Sequence, residues 1–238
     1  MSAPPWLVLP TYNEAANIEA IVEAVLAKLP ETGRVLVVDD NSPDGTGDIA
    51  DRLGAGDDRV DVLGRPRKEG LGPAYIAGFR HALDGGAGLV LQMDADFSHD
   101  PAYLPRLLDA SERADLVIGS RYVAGGGVVD WSRLRQAISR GGSAYARLAL
   151  GVGVHDLTGG FKCFRREVLE AIDLDSIESR GYAFQVETTY RAIERGFRVV
   201  EVPIVFRDRA AGASKMGGAI VAEAAFRVPM MRLRRGRR

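Results

Sequence analysis

The chain has 238 residues, of which 46% are hydrophobic and 26% charged, with a formal net charge of −1 and a single cysteine, Cys163. This composition predicts one folded domain over 1–238 with one sizeable core, and it excludes an intrinsically disordered chain. The small net charge argues against a nucleic-acid partner, and one cysteine excludes an internal disulfide and a cysteine-rich metal site.

Short apolar runs alternate with segments of helical periodicity in the first half of the chain. Strands are predicted at 6–9, 35–38, 60–63, 89–93 and 116–118. Helices are predicted after Asn13, which would be an N-cap, over 48–53, over 74–83 and after Pro101. Strands and helices that alternate at this spacing predict an α/β fold with a doubly wound, mostly parallel sheet flanked by helices.

The second half of the chain is less regular. Helical patterns return at 133–150 and 184–195, a strand is predicted at 199–202, and a closing helix is predicted at 217–233. In 133–150 apolar side chains alternate with arginines, which predicts an amphipathic surface helix. Such a helix could lie on a membrane surface, or it could pack on the protein core.

Two aspartates, Asp94 and Asp96, directly follow the apolar run 89–93. At the carboxyl end of a buried parallel strand, they would reach the crevice where open α/β sheets bind ligands. Carboxylates so placed suit Mg²⁺ or Mn²⁺ together with a diphosphate. The alternative is that they cap the helix that Pro101 opens.

Polar side chains also follow the other predicted strands. The segment 11–14 follows the first strand, and Asp39 and Asp40 follow the second. Three acidic turns would then meet at one edge of the sheet, where their mutual repulsion needs a cation or hydrogen-bond donors to offset it. This convergence favours a binding site over three unrelated solvated turns.

Several motifs resemble those of a known family. The segments 9–14 (LPTYNE), 38–46 (VDDNSPDGT), 70–75 (GLGPAY) and 93–96 (MDAD) resemble the inverting family 2 glycosyltransferases of the GT-A fold. The segments 119–122, 156–161, 181–185 and 208–215 are similar to dolichol- or polyprenol-phosphate mannose synthases. Because these motifs extend in the same order from about 8 to 218, the match is highly specific.

The resemblance implies a metal-dependent enzyme that transfers mannose from GDP-mannose to a polyprenyl (dolichyl-type) phosphate with inversion, giving polyprenyl phosphate mannose. The implied cofactor is Mg²⁺ or Mn²⁺. A glucosyl or other hexosyl transferase to the same lipid is an alternative, because contacts that decide the sugar are not visible in the sequence. An alternative of another class is a non-catalytic nucleotide-sugar binding module.

The resemblance also implies roles for individual residues. The residues implied in donor nucleotide-sugar binding are Pro10, Tyr12, Glu14, Val38, Asp40, Asp94, Ala95, Asp96, Arg209 and Lys215. Asp94 and Asp96 would hold the metal, with Ser98 close by at a position that is a metal-contacting glutamine in some relatives. Arg121 would meet the acceptor phosphate with Arg135 and Ser139, so that Asp94, Asp96 and Arg121 form the catalytic set.

The chemistry of such a reaction agrees with these residue types. A divalent cation stabilises the negative charge that grows on a leaving diphosphate. A lipid phosphate is already anionic near neutral pH, so it needs cationic docking and no strong general base. Arginine suits this task because its planar fork pairs with phosphate oxygens. Arg135 and Ser139 are four residues apart and would share one helix face.

The sequence has neither a recognisable signal peptide nor an apolar run of about 18 residues. With its single cysteine, this predicts a cytoplasmic protein. The tail at about 227–238 is rich in arginine, and it would attract anionic headgroups beside the amphipathic segment. We therefore expect peripheral contact with the inner face of the membrane, with a membrane-anchoring partner subunit where firm attachment is needed.

Overall fold

A seven-stranded sheet with helices on both faces forms the centre of the protein. The computed structural model describes residues 3–177, 179, 181–207 and 228–232. The strands of this sheet are β1 (Pro5–Thr11), β2 (Arg34–Asp39), β3 (Val60–Gly64), β4 (Leu89–Gln92), β5 (Leu116–Ser120), β7 (Lys162–Arg165) and β8 (Val199–Pro203). A separate parallel pair consists of β6 (Gly127–Val128) and β9 (Val205–Phe206).

The helices alternate with the strands, as the sequence pattern predicts. They are α1 (Ile18–Leu26), α2 (Thr46–Gly56), α3 (Leu71–Asp84), α4 (Leu104–Ser111), α5 (Arg133–Leu150), α6 (Arg166–Ala171) and α7 (Gly181–Glu194). Residues 228–232 are also helical. The rest of the predicted closing helix lies outside the described residues.

The strand order is β3-β2-β1-β4-β7-β5-β8, and all neighbouring strands are parallel except the two pairs that involve β7. The prediction of a mostly parallel α/β sheet is therefore confirmed. The antiparallel strand β7 was not predicted, because it is four residues long and begins and ends with the charged residues Lys162 and Arg165. Its position between β4 and β5 separates the two strands that lead to the Asp-X-Asp segment and to Arg121.

Apolar side chains cover both faces of the sheet. Trp6 and Val8 of β1 belong to one cluster with Phe79 of α3, whereas Leu7 and Leu9 belong to a second cluster with helices α1 and α4. Strands buried on both faces read as continuous apolar runs, which explains why they were recognisable in the sequence. Cys163 lies buried on β7, where burial raises the pKa of its thiol to about 12.

One local prediction is wrong. Asn13 was expected to be the N-cap of the first helix, but α1 begins at Ile18 after Asn17. Asn13 has a φ of 61°, a left-handed conformation that asparagine tolerates better than most residues. It therefore belongs to the turn that leaves β1, at the edge of the sheet where the candidate site lies. Within the part of the chain that the structure describes, no helix is long and apolar enough to cross a membrane.

Candidate active site

The carboxyl ends of β2, β1 and β4 are neighbours at one edge of the sheet. Thr11 at the end of β1 is in register with Asp39 of β2, and its hydroxyl donates to Asp39 Oδ1 over 2.9 Å. The sheet order thus brings the three acidic turns to one edge, as expected from parallel strands. This edge is the candidate active site.

Two aspartates of the second turn hold the loops together. Asp39 accepts hydrogen bonds from the backbone and hydroxyl of Ser42 at 2.9 and 2.6 Å. Asp44 Oδ2 accepts from the backbone N–H of Ala15 at 3.0 Å, and its Oδ1 accepts from Thr46. Slight burial raises the pKa of Asp44, but these hydrogen bonds outweigh it and leave the pKa below the usual value. Both carboxylates shape the turn.

The predicted nucleotide-pocket residues lie at the ends of β1 and β2. Asp40 is buried and forms an ion pair with Arg65, which also contacts Glu69 at 2.6 Å. Burial raises the pKa of Asp40 above its usual value, although the charge of Arg65 opposes this shift. Lys68 Nζ lies 3.6 Å from the centre of the Tyr12 ring. This side of the edge therefore combines a flat aromatic ring with paired charges.

The other predicted pocket residues differ in exposure. Val38 is fully buried in the core, and its carbonyl accepts from the Thr11 hydroxyl at 3.4 Å. Pro10 is half-buried, and the backbone N–H of Glu14 donates to Thr46 Oγ1 at 2.9 Å. Arg209 and Lys215 lie outside the described residues, so their expected closure over the donor stays a prediction.

Asp94 is hydrogen-bonded to a buried, stacked tyrosine, a contact that the sequence did not suggest. Its Oδ1 accepts a hydrogen bond of 3.1 Å from the hydroxyl of Tyr75 on α3. The Tyr75 ring is buried and stacks parallel to Phe184 of α7 with centroids 6.0 Å apart. Burial, together with the charge of Asp94, raises the pKa of Tyr75 well above its usual value, so the phenol keeps the proton that it donates.

The structure separates Asp94 and Asp96 from the helix that follows. Asp100 accepts from the backbone N–H of Ala102 at 2.8 Å and so caps the turn at Pro101. Asp96 is buried, and its Oδ1 accepts from the backbone N–H of Ser98 at 3.1 Å. The alternative that these two aspartates cap the helix is therefore wrong.

The Asp-X-Asp segment fits a divalent cation that substrate oxygens help to hold. The described residues contain no group of three or more His, Cys, Asp or Glu side chains that could hold a metal. Mg²⁺ commonly uses only one or two protein carboxylates and takes its other ligands from water and substrate phosphates. The buried Ser98 hydroxyl has no hydrogen-bond partner among the described residues, next to Asp96. Asp94 and Asp96 therefore fit a Mg²⁺ or Mn²⁺ ion bound with a diphosphate.

Arg121, directly after β5, is held by a buried carboxylate. Its Nε and Nη2 donate to Asp156 at 2.7 and 2.6 Å, and its backbone N–H donates to the same carboxylate at 2.9 Å. Nη2 also donates to Thr158 at 2.9 Å. Burial alone would lower the pKa of Arg121, but Asp156 more than offsets it and raises the pKa. Two of the guanidinium nitrogens of Arg121 therefore bind other parts of the protein and stabilise the fold.

The other two predicted acceptor residues lie around the same aromatic side chains as Arg121. The Tyr122 hydroxyl donates to Ser139 over 2.5 Å, and the Tyr122 ring is 5.0 Å from the Arg121 guanidinium. The guanidinium carbons of Arg135 and Arg121 lie 4.2 and 5.8 Å from the centre of the Trp131 ring. The structure thus brings Arg121, Arg135 and Ser139 together.

Sequence reasoning missed Asp156, Tyr122 and Trp131 as parts of this cluster. Tyr122 and Asp156 stand in the motifs 119–122 and 156–161, but their contacts join distant parts of the chain. Trp131 precedes α5 at a position that no periodic pattern marks. The structure assigns all three to the surroundings of Arg121.

The mostly parallel sheet, with an Asp-X-Asp segment after β4 and arginine side chains at the same edge, has the architecture of the GT-A fold. The chain belongs to glycosyl transferase family 2, whose sequence model matches residues 6–173. The resemblance inferred from the motifs is therefore confirmed.

Two relatives have high identity. The polyprenol monophosphomannose synthase of Mycolicibacterium smegmatis is 52% identical over 224 residues, which cover 93% of this chain and 84% of the relative. The undecaprenyl-phosphate mannosyltransferase of Micrococcus luteus is 52% identical over 221 residues, which cover 93% of this chain and 90% of the relative. Both are similar to this chain over nearly its full length.

Solved structures support the fold. Glucosyl-3-phosphoglycerate synthase from Mycobacterium tuberculosis, in complex with Mn²⁺, UDP and glucosyl-3-phosphoglycerate, matches with a TM-score of 0.70 and 20% identity over 97% of this chain and 80% of that one. The same enzyme with Mg²⁺ and UDP matches with a TM-score of 0.72 and 20% identity over 97% and 79%. At this identity the likeness establishes the fold and leaves the substrates open.

Proposed function

We propose that the protein transfers mannose from GDP-mannose to a polyprenyl phosphate with inversion, giving polyprenyl phosphate mannose. The main support is that acidic and basic side chains lie at the same edge of the sheet. Asp94 and Asp96 lie at the end of β4, and a cluster of arginines lies beyond β5. The names of the two 52% identical relatives support mannose as the sugar and a polyprenyl phosphate as the acceptor.

On the donor side, Asp94 and Asp96 would hold Mg²⁺ or Mn²⁺ against the diphosphate of GDP-mannose. A bound divalent cation supplies electrostatic stabilisation of the charge that develops on the leaving diphosphate. The Tyr75 hydrogen bond and the Ser98 N–H fix the two carboxylates, so that little reorganisation is needed during transfer. Tyr12, Glu14 and Asp40 would bind the nucleoside.

On the acceptor side, Arg135 and Ser139 would bind the phosphate, with Arg121 beside the same Trp131 ring as Arg135. The lipid phosphate attacks as an anion, so these residues position it and need to accept no proton. Arg135 stacks on Trp131, which fixes the plane of its guanidinium. A fixed fork loses less conformational entropy when it pairs with two phosphate oxygens.

A transfer assay tests the proposal. The purified protein is incubated with polyprenyl phosphate, Mg²⁺ and either radiolabelled GDP-mannose or radiolabelled UDP-glucose, and label in the lipid phase is counted. We expect transfer from GDP-mannose alone, and none when polyprenol without phosphate replaces the acceptor. Transfer from UDP-glucose would establish the glucosyl alternative. Donor binding without lipid-dependent release of nucleoside diphosphate would establish the non-catalytic module.

Access to the polyprenyl chain of the acceptor requires a protein surface that contacts the membrane, and helix α5 has such a surface. Leu134, Ile138, Tyr145 and Leu148 form a stripe along this helix and are 71%, 45%, 42% and 75% exposed. We call these four residues the apolar stripe. Arg140 and Arg147 flank it, and Arg232 of the helical segment 228–232 donates to the carbonyl of Ala149 at the end of α5, 3.1 Å away. We propose peripheral docking of this face at the inner side of the membrane, with the basic tail in support.

Replacing Leu134 and Leu148 by Ser should weaken binding to anionic vesicles about tenfold or more, because an inserted Leu contributes on the order of 1.5 kcal/mol or more. Both side chains are exposed, so the melting temperature should stay the same. A matched variant with Met at both positions keeps the apolar area and should bind like the wild type. Vesicle sedimentation measures the effect. Equal binding by all three proteins would contradict docking through the apolar stripe and favour anchoring by a partner subunit.

A further inference from the structure

Two buried glutamines lie beneath the Asp-X-Asp segment. Gln92, the last residue of β4, donates through Nε2 to the carbonyl of Gly160 at 2.9 Å and to Gln185 Oε1 at 2.8 Å. A backbone carbonyl can only accept, so the Gln92 atom that contacts it is the amide nitrogen. Its second N–H then makes the contacting atom of Gln185 the oxygen. The orientation of both amides is fixed by this chain of hydrogen bonds.

This orientation leaves the amide nitrogen of Gln185 without a partner. Gln185 is 2% exposed, and Nε2 has no hydrogen-bond partner among the described residues. A buried donor that lacks an acceptor destabilises the folded protein, and native structures contain few such groups. The Gln185 amide therefore needs an acceptor that the described chain does not supply.

Gly160 leaves a small space that the Gln185 amide shares with Asp94. A Cβ placed on Gly160 would lie 3.6 Å from Gln185 Nε2, 3.8 Å from Asp94 Oδ2 and 3.5 Å from His99 Cε1. An N–H donor and a carboxylate acceptor thus border the same space. A side chain at this position would put its Cβ within 4 Å of both groups.

Gln185 lies on α7 and is held in place by contacts with β7 and α3. Lys162 Nζ donates to the backbone carbonyl of Gln185 at 2.7 Å and to Thr188 Oγ1 at 3.3 Å. The preceding residue, Phe184, stacks on Tyr75, whose hydroxyl donates to Asp94. The same contacts therefore set the positions of the Gln185 amide and the Asp94 carboxylate relative to each other.

We propose that Gln185 Nε2 donates a hydrogen bond to a hydroxyl of the donor sugar, and that the same hydroxyl donates to Asp94. A hydroxyl is both donor and acceptor, so it complements an N–H beside a carboxylate. A phosphate oxygen only accepts, so it could pair with the amide but could not donate to the carboxylate. Gln185 is then a sugar-recognition residue and Gln92 a positioning residue. This inference rests on the proposed function, because it assumes that a nucleotide sugar binds at Asp94.

The test compares Gln185→Met with the wild type in binding GDP-mannose and GDP, each with Mg²⁺, by calorimetry. A sugar contact predicts about a tenfold or greater loss of affinity for GDP-mannose and a change of less than twofold for GDP. Thr189→Val is the matched control, because it removes another buried, unpartnered hydrogen-bonding atom from α7, and it should change neither affinity. Unchanged GDP-mannose affinity, or equal losses for both ligands, would overturn the proposal.

Gly160→Ala provides a second test. It leaves Gln185 unchanged, so its result does not depend on how Gln185→Met affects folding. The three contacts of its new methyl group are of ordinary van der Waals length, so the protein should keep its melting temperature. It should lose GDP-mannose affinity about tenfold and keep GDP affinity, because the methyl group occupies the space of the hydroxyl. Equal GDP-mannose affinity would contradict the inference. If the wild type binds another nucleotide sugar instead, the proposed function fails and the same comparison with that sugar still tests Gln185.

Discussion

The Asp96→Asn protein is expected to lose about 100- to 1,000-fold of its transfer rate and to remain folded. Asparagine keeps an oxygen that can accept the 3.1 Å hydrogen bond from the Ser98 N–H, so the turn after β4 should survive. The substitution removes the charge that would bind the cation, and electrostatic stabilisation of a leaving group commonly contributes more to catalysis than any other single effect. Steady-state transfer measured over a range of Mg²⁺ concentrations, together with melting temperature, gives both quantities.

Asp100→Asn is the matched control for this variant. It makes the same chemical change four residues away, on the carboxylate that caps the turn at Pro101. Asparagine is also a good helix cap, so activity and stability should both be near those of the wild type. Normal turnover of Asp96→Asn at low Mg²⁺ would refute the assignment of Asp96 to the metal.

The two kinds of strand in this sheet show why part of the fold was predictable from sequence. Strands β1, β2, β4 and β5 are buried on both faces, and each contains an uninterrupted apolar run. The positions of the acidic turns followed from the ends of those runs. Strand β7 contains a fully buried Lys162, whose Nζ donates to the carbonyl of Gln185 and to Thr188 Oγ1. A lysine does not mark a buried strand, so that element was visible only in three dimensions.

The candidate site also has one part that the sequence predicts and one part that it does not. Asp94, Asp96 and Arg121 stand in short motifs that a single sequence displays. Their partners stand in other motifs, and the sequence does not show which residues pair, because Tyr75 lies 19 residues from Asp94 and Asp156 lies 35 residues from Arg121. Each pairing depends on how distant helices, strands and loops pack in three dimensions. The motifs therefore predicted the positions of the candidate catalytic residues. The structure identified the residues that hold them in place.

Arg121 and Asp156 form the second pair for which a large effect is expected. Replacing Arg121 by Ala should lower the free energy of unfolding by about 3–5 kcal/mol, because it leaves Asp156 fully buried with its charge uncompensated. Arg135→Ala, at a half-buried position, should cost about 1 kcal/mol or less. Urea denaturation of both variants measures the difference. A loss below about 1 kcal/mol for Arg121→Ala would contradict a structural role for the pair.

A double-mutant cycle separates this structural role from binding of the acceptor phosphate. In Arg121→Met with Asp156→Leu, both charges are replaced by apolar groups, so much of the lost stability should return. Acceptor use should stay impaired in the double variant only if the Arg121 guanidinium also binds phosphate.

Arg135→Gln provides the complementary measurement. It should raise the KM for polyprenyl phosphate about tenfold while the KM for GDP-mannose stays unchanged, because charge-assisted hydrogen bonds contribute about 1.5–3 kcal/mol. A double variant that regains both stability and acceptor use would assign phosphate binding to Arg135 and Ser139, and a purely structural role to Arg121.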